Sequence, residues 1–165
     1  MKKFILGSLL VCSVVMSVNA QWFESKLPVQ LTDVQGKLTS SADVLKGKIV
    51  GVYFSASWCP PCRAFTPRLV EFYNEVKKSG DFELILVSCD RTAQAMTEYM
   101  KKYNMPFFAA PFRDPVANAL MRDLNVRGIP TLAIFSPEGK LITINGRNDV
   151  MKEGAKALDE WKKNL

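Results

Sequence analysis

Four stretches of the chain are apolar without interruption, or alternate so tightly that both faces of a strand must be buried. Lys48-Ile49-Val50-Gly51-Val52-Tyr53-Phe54 and Phe82-Glu83-Leu84-Ile85-Leu86-Val87-Ser88 are β-rich runs of the length of a central strand. Thr131-Leu132-Ala133-Ile134-Phe135 is a third. The fourth, Phe4 to Val18, lies at the start of the chain and is treated separately below. Between the strands the period changes from two to about 3.6. Phe65, Leu69, Phe72 and Val76 share one face of a helix predicted from about Pro60 to Lys78, kinked by Pro67 and ended by Gly80. Ala93, Met96, Met100 and Tyr103 define the inward face of a second helix, capped by Thr92 or Asp90 and stopped by Pro106. Pro115 opens a third, with Val116, Leu120 and Leu124 inward.

Shorter features complete the pattern. A strand is predicted near Val29 to Thr32 within an N-terminal extension, residues 21–46, and another over Phe107 to Ala110. Ser136-Pro137-Glu138-Gly139 has Pro second and Gly fourth, as a tight turn requires, and Lys140 to Asn145 is the return strand. A last helix is predicted from Asp149 to Lys163, with Val150, Gly154, Leu158, Trp161 and Leu165 inward. Strands alternating with helices, then a hairpin, then a helix, make an α/β sheet with a parallel part and an antiparallel edge.

Lys2 and Lys3 precede the Phe4–Val18 run, and Val18-Asn19-Ala20 follows it. A positive start, a short apolar stretch and a small-residue end read as a signal peptide over residues 1–20, leaving a domain over 21–165. The run is shorter than the roughly 20 residues of a membrane span. The expectation is an exported protein, periplasmic if the short Lys-Lys start belongs to a Gram-negative bacterium and secreted otherwise.

Composition alters this picture little. Hydrophobic residues make up 48% and charged residues 23% of 165, the balance of a globular domain. Net charge is +6; without Lys2 and Lys3 it is +4. Lysine pairs at 77–78, 101–102 and 162–163 fall at predicted helix ends, where the helix dipole favours cations. The charge therefore reads as a solvated surface and not as a nucleic-acid interface.

The chemistry lies where the first core strand meets its helix, in Trp58-Cys59-Pro60-Pro61-Cys62. Cys59 stands at the positive end of the helix dipole, which stabilises a thiolate there. Cys62, one turn in, should be more buried and act second, attacking a mixed disulfide formed at Cys59. Arg63 adds a nearby positive charge. Zinc needs four Cys or His ligands as a rule; the chain beyond residue 20 has three cysteines and the whole chain has no histidine. A copper site of the CxxxC-plus-His kind fails on spacing and on histidine. A purely structural disulfide remains open, although so small a ring stabilises little by loop closure. No metal and no cofactor are expected. Cys89 is left over, either a buried thiol behaving as a small hydrophobe or a regulatory partner for another thiol.

The run from Ser55 to Arg63 resembles the active site of the tryparedoxin and nucleoredoxin branch of the thioredoxin superfamily. Pro67 matches the family's helix proline, Val87-Ser88-Cys89-Asp90-Arg91 resembles a strand-end Val-Ser-x-Asp-Arg of that branch, and Gly128-Ile129-Pro130-Thr131 resembles the cis-proline loop. The resemblance runs from Gly47 to the C-terminus. It implies a thioredoxin fold, a central mixed sheet flanked by helices, with a helix–strand insertion between Cys62 and Pro130. Exported reductases of the TlpA type share such an insertion and form a neighbouring family. It also implies roles: Cys59 as nucleophile and Cys62 as resolving cysteine; Pro130 cis beside the sulfurs; Ile129 offering its backbone to an extended substrate; and Trp58, with Pro60 and Pro61, shaping the docking surface. Ordinary thioredoxins carry a buried Asp six residues before the first cysteine. Tyr53 stands there here, as in the tryparedoxin branch, so Tyr53, Arg63 and Asp90 are the candidates for proton transfer or tuning.

Substrates are then protein or small-molecule disulfides, with an upstream thiol reductant or a membrane electron conduit. Pro60 and Pro61 lack N–H groups that would otherwise solvate a Cys59 thiolate, which argues for a reducing couple and a disulfide reductase. Two other classes stay open: an oxidase or isomerase, and a non-catalytic binding module that uses the cis-proline groove.

Overall fold

The computed structural model describes residues 25–165. The strands are β1 Gln30–Thr32, β2 Leu38–Ser40, β3 Ile49–Ser55, β4 Phe82–Ser88, β5 Phe108–Ala109, β6 Thr131–Phe135 and β7 Leu141–Thr143. The helices are α1 Ser41–Leu45, α2 Pro60–Val76, α3 Ala93–Lys102, α4 Pro115–Asp123, α5 Gly146–Glu153 and α6 Lys156–Lys162. The strands form one sheet in the order β2-β1-β5-β4-β3-β6-β7. β3, β4 and β5 run parallel, as helical crossovers require. β6 and β7 on one side, and β1 and β2 on the other, add antiparallel edges.

Every residue of β3 is buried, because helices cover both faces of the sheet at this point. Alternate residues serve opposite faces. Ile49 and Tyr53 join Leu84, Leu86, Leu132 and Ile134 in a core closed by α2, α3, α5 and α6. Val50, Val52 and Phe54 join Ile85, Val87, Ala133 and Phe135 in a second core, closed by Ala117 and Leu120 of α4 and by Leu27, Leu31 and Leu45. Gly51 belongs to the first face, where an added Cβ would stand 2.7 Å from Leu84 Cδ1 and 3.0 Å from the Phe82 ring. Its neighbours already fill the space a side chain would take.

Several elements differ from the sequence reading. The N-terminal extension contributes a hairpin, β1–β2, and the short helix α1, whereas only one strand was legible. With three residues per strand, alternation is too brief to detect, yet Leu31 is fully buried while Val29 is exposed. On α3 the buried residues are Met96, Tyr99 and Met100; Ala93 is exposed and Tyr103 half-buried. Tyr99 turns inward because its hydroxyl finds partners there. Thr92 caps α3 by accepting from Ala95 N, and Asp90 is engaged elsewhere. On α4 the buried positions are Ala117 and Leu120, with Val116 and Leu124 half-buried. The last helix is two: Gly154, at φ 55°, breaks it into α5 and α6, and both Gly154 and Leu165 are exposed. β7 is shorter than Lys140–Asn145 and carries a register shift against β6.

Candidate active site

β3 ends at Ser55, Ala56 and Ser57 turn the chain, and Cys59 becomes the N-cap of α2. Pro60 and Pro61 occupy the first two helical positions, where the missing N–H groups break no helical bond. The Cys59 sulfur accepts from Cys62 N at 3.3 Å, the one sulfur–amide bond at this helix start among the described residues. Cys59 and Cys62 are joined in a disulfide. Cys59 is 3% exposed and Cys62 fully buried, as their order along the helix requires. Pro60 and Pro61 face solvent.

β6 starts at Thr131, opposite Phe54 of β3, so the loop before it lies alongside the segment leading to the cysteines. The Ile129–Pro130 peptide is cis. Thr131 Oγ1 donates to Gly128 O at 2.7 Å and closes the loop on itself. The Ile129 carbonyl oxygen stands 3.6 Å from the Cys59 sulfur, within reach of its S–H when the pair is reduced. Ile129 and Pro130 are half-buried and Trp58 is 54% exposed, so these residues with Pro60 form the accessible rim of the sulfur pair. Trp58 Nε1 donates to Cys89 O at 3.2 Å, which fixes one edge of the indole and leaves its face outward.

Tyr53 does not point at a sulfur. Its hydroxyl lies 3.0 Å from Thr66 Oγ1 and donates to the Cys62 carbonyl at 3.4 Å. Thr66 also donates to that carbonyl at 2.8 Å, and Tyr99 links Thr66 to Ser55. The place of a buried carboxylate is thus filled by neutral hydroxyls spanning β3, α2 and α3. Burial, and secondarily the neighbouring Tyr99, pushes the Tyr53 hydroxyl far above the ordinary tyrosine value, so it holds its proton throughout the working range.

Asp90 is enclosed by serine donors. Its Oδ1 accepts from Ser57 N at 2.9 Å and Ser57 Oγ at 2.7 Å, and its Oδ2 accepts from Ser88 Oγ at 2.9 Å. Arg63 is exposed and lines a shallow pocket with Ser57, Glu98, Lys102 and Tyr103, to one side of the sulfurs. Cys89 is a free, half-buried thiol packed against Ala56, Cys59 and Cys62, and its N–H donates to Ser55 O at 2.7 Å. Burial, and then the adjoining Asp90, pushes its thiol up. Thr66 and Tyr99 escaped the sequence reading. The spacing Met96, Tyr99, Tyr103 carries a helical signal for Tyr99, but nothing local marks a hydroxyl partner on another element.

The chain matches the Thioredoxin-like family model over residues 47–141. It is 44% identical over 144 residues to probable nucleoredoxin 1 of Arabidopsis thaliana, covering 85% of this chain and 25% of the relative. It is 43% identical over 111 residues to nucleoredoxin of Mus musculus, covering 66% and 25% respectively. The chain therefore spans about a quarter of the length of the curated relatives it matches. Two solved structures cover nearly the whole of their own chains. Tryparedoxin from Trypanosoma brucei has a TM-score of 0.76 at 35% identity, covering 85% of this chain and 97% of its own. Thioredoxin from Wuchereria bancrofti has 0.72 at 36% identity, covering 85% and 98%.

These relatives correct one expectation. Export to the periplasm or the outside is overturned by the match to nucleoredoxins. Residues 1–20, from which the export reading came, lie outside the described residues. Two lysines before an apolar run are a matter of composition, whereas the match extends over a folded domain. With the family model covering more than half of the chain and the site geometry in agreement, the chain belongs to the thioredoxin-like family, in its nucleoredoxin and tryparedoxin branch.

Proposed function

We propose that this chain is a thiol–disulfide oxidoreductase that reduces protein disulfides through a Cys59–Cys62 dithiol cycle. The observation that carries the reading is the disulfide between the sulfur that caps α2, bordered by the exposed Trp58 and Pro60, and a fully buried one three residues on. In the reduced protein the Cys59 thiolate attacks one sulfur of a substrate disulfide. A mixed disulfide forms and the first substrate thiolate leaves. The Cys62 thiolate then attacks Cys59 Sγ, and the second substrate thiolate leaves. Two electrons have passed to the substrate, its two sulfurs take up the two protons, and the Cys59–Cys62 bond has formed. An upstream thiol reductant reverses the last step by the same exchange.

The residues at the rim have roles in this reading. The Ile129–Pro130 edge and the open face of Trp58 receive the substrate chain, with Pro60 and Pro61 beneath it. The hydroxyls of Tyr53 and Thr66 hold the Cys62 carbonyl, and with it the first turn of α2. The direction of flow follows from the donors at Cys59. With prolines at the first two helical positions, a single amide, that of Cys62, reaches its sulfur. A thiolate so sparsely solvated is poorly stabilised, and a poorly stabilised dithiol is a good reductant.

The test is equilibration of the full chain in defined glutathione or dithiothreitol buffers, with the thiols of Cys59 and Cys62 counted by mass. A potential near or below about −230 mV supports the reductase. A value above about −180 mV moves the protein to the oxidase or isomerase class. Absence of any reversible couple leaves a binding module.

A further inference from the structure

Among the described residues two charged side chains are buried, Glu83 and Asp90. Glu83 has a cation at hand, Lys48 Nζ at 3.2 Å, and accepts from Tyr73 at 2.6 Å as well. Asp90, 7% exposed, has neutral partners only: Ser57 N, Ser57 Oγ and Ser88 Oγ. These partners are not scattered. Ser57 lies two residues before Cys59, and Ser88 ends β4 opposite Ser55, two residues before Ser57. Cys89 N–H to Ser55 O, and Trp58 Nε1 to Cys89 O, tie the same two segments together on either side of the carboxylate. The turn that delivers Trp58 and Cys59 is therefore stitched to the end of β4, with Asp90 as its central acceptor.

A buried anion without a counter-ion acts over a longer range than a surface one, because little water intervenes to screen it. The nearby charges that face Ser57 from outside, Arg63 of α2 and Glu98 and Lys102 of α3, are exposed and solvated. We propose that Asp90 is a positioning residue for the redox pair. It fixes the Ser57–Trp58 turn through its serine partners, and its carboxylate disfavours a second negative charge at Cys59, which keeps the couple reducing. The inference rests on the dithiol–disulfide reading above. The sign is set by the charge difference: the disulfide is neutral, the thiolate is not, and repulsion therefore weighs on the reduced form alone.

Asp90→Asn is the test. The asparagine oxygen keeps the Ser57 bonds, and its amide donates to Ser88 Oγ, so the turn is held while the charge is gone. The full-length variant is equilibrated with glutathione at pH 9, above the ordinary thiol value of about 8.5. Two glutathione thiols reduce the Cys59–Cys62 bond and leave as one glutathione disulfide. The expected result is an exchange equilibrium shifted threefold or more toward the dithiol, with circular dichroism matching the parent. An Asp90→Asn protein that folds like the parent and shows the parent's equilibrium overturns the proposal. Should Asp90→Asn not fold, Ser88→Ala carries the test with the opposite sign. Removing one donor leaves the carboxylate less neutralised, and the equilibrium moves toward the disulfide; an unmoved equilibrium overturns the proposal equally. A parent protein with no reversible exchange at all sinks instead the dithiol reading on which the inference stands.

Discussion

The hydroxyl of Tyr99 on α3 lies 2.5 Å from that of Thr66 on α2. This bond joins the helix that follows β4 to the active-site helix, directly below the Cys62 carbonyl, and both residues are buried. A buried hydroxyl deprived of its partner costs about 1–3 kcal/mol. Tyr99→Phe removes one oxygen and leaves the hydroxyls of both Ser55 and Thr66 with one partner fewer. The expected loss is about 1–2 kcal/mol in urea unfolding. The Cys59–Cys62 couple should remain reversible, because no bond to either sulfur is touched.

The order of the two sulfurs along α2, Cys59 at its cap and Cys62 within its first turn, predicts an unequal trap. In Cys62→Ser the mixed disulfide at Cys59 has no internal thiol at Cys62 to resolve it. Incubated with a protein disulfide, this variant should accumulate a covalent adduct visible by mass. Cys59→Ser should form none at Cys62, which is fully buried within the first turn of α2. Equal trapping by both variants contradicts the assignment of nucleophile and resolving thiol.

Pro61→Ala restores a backbone N–H at the second helical position, where Pro61 now stands. A new donor near the Cys59 thiolate stabilises the dithiol form, and the potential should rise by about 20–40 mV, where 30 mV corresponds to about 1.4 kcal/mol. Redox titration beside the parent protein reads the change. A fall in potential would refute the argument from missing donors.

Trp58 is anchored by one bond, and 54% of its surface is exposed. Its removal takes little from the core but much from the rim of the site. Trp58→Ala should cost less than about 1 kcal/mol of stability. The same change should lower kcat/KM toward a protein disulfide about tenfold, or about 1.4 kcal/mol. A variant with unchanged kcat/KM would place substrate docking elsewhere.

Alkaline pH should unfold the protein through its tyrosines. Burial pushes Tyr53 up, and burial together with the adjoining Glu83 pushes Tyr73 up. In the unfolded chain both ionise near pH 10, while the folded protein still holds the two protons. The native state then binds more protons than the unfolded state, so stability falls as pH rises. Stability should be at its full value below about pH 10 and decline above it, and tyrosinate absorbance should appear together with unfolding. Tyr73→Phe should flatten that decline. Unfolding midpoints in urea at pH 8, 10 and 11 provide the check.

Much of the fold was legible because it is written in short-range periodicity. β4 and β6 occupy the spans that their apolar runs predict, and β3 and α2 differ by a residue or two at their ends. The sulfur pair was legible for the same reason. A strand, a turn and a helix start within fifteen residues place Cys59 and Cys62 by local geometry alone. The parts that were not legible depend on partners far away in the chain. β2 and α1 exist because a hairpin docks on β5, and three-residue strands hold too few positions to show a period. The break at Gly154 reflects the turn between α5 and α6, not the apolar spacing that runs through it.

What the sequence by itself determined is the chemistry: two cysteines in a Trp-Cys-Pro-Pro-Cys run at a helix start, no histidine to make a metal site, and a Gly-Ile-Pro-Thr loop before a core strand. What only the tertiary structure decided is the setting of that chemistry. Tyr53 donates to the Cys62 carbonyl beside Thr66, which Tyr99 holds in turn. Asp90 binds Ser57 across 33 residues and takes no part in capping α3. Side-chain identity and spacing along a strand or helix are properties of the chain. Which hydroxyl meets which carboxylate depends on how separate elements pack, and no local pattern encodes that.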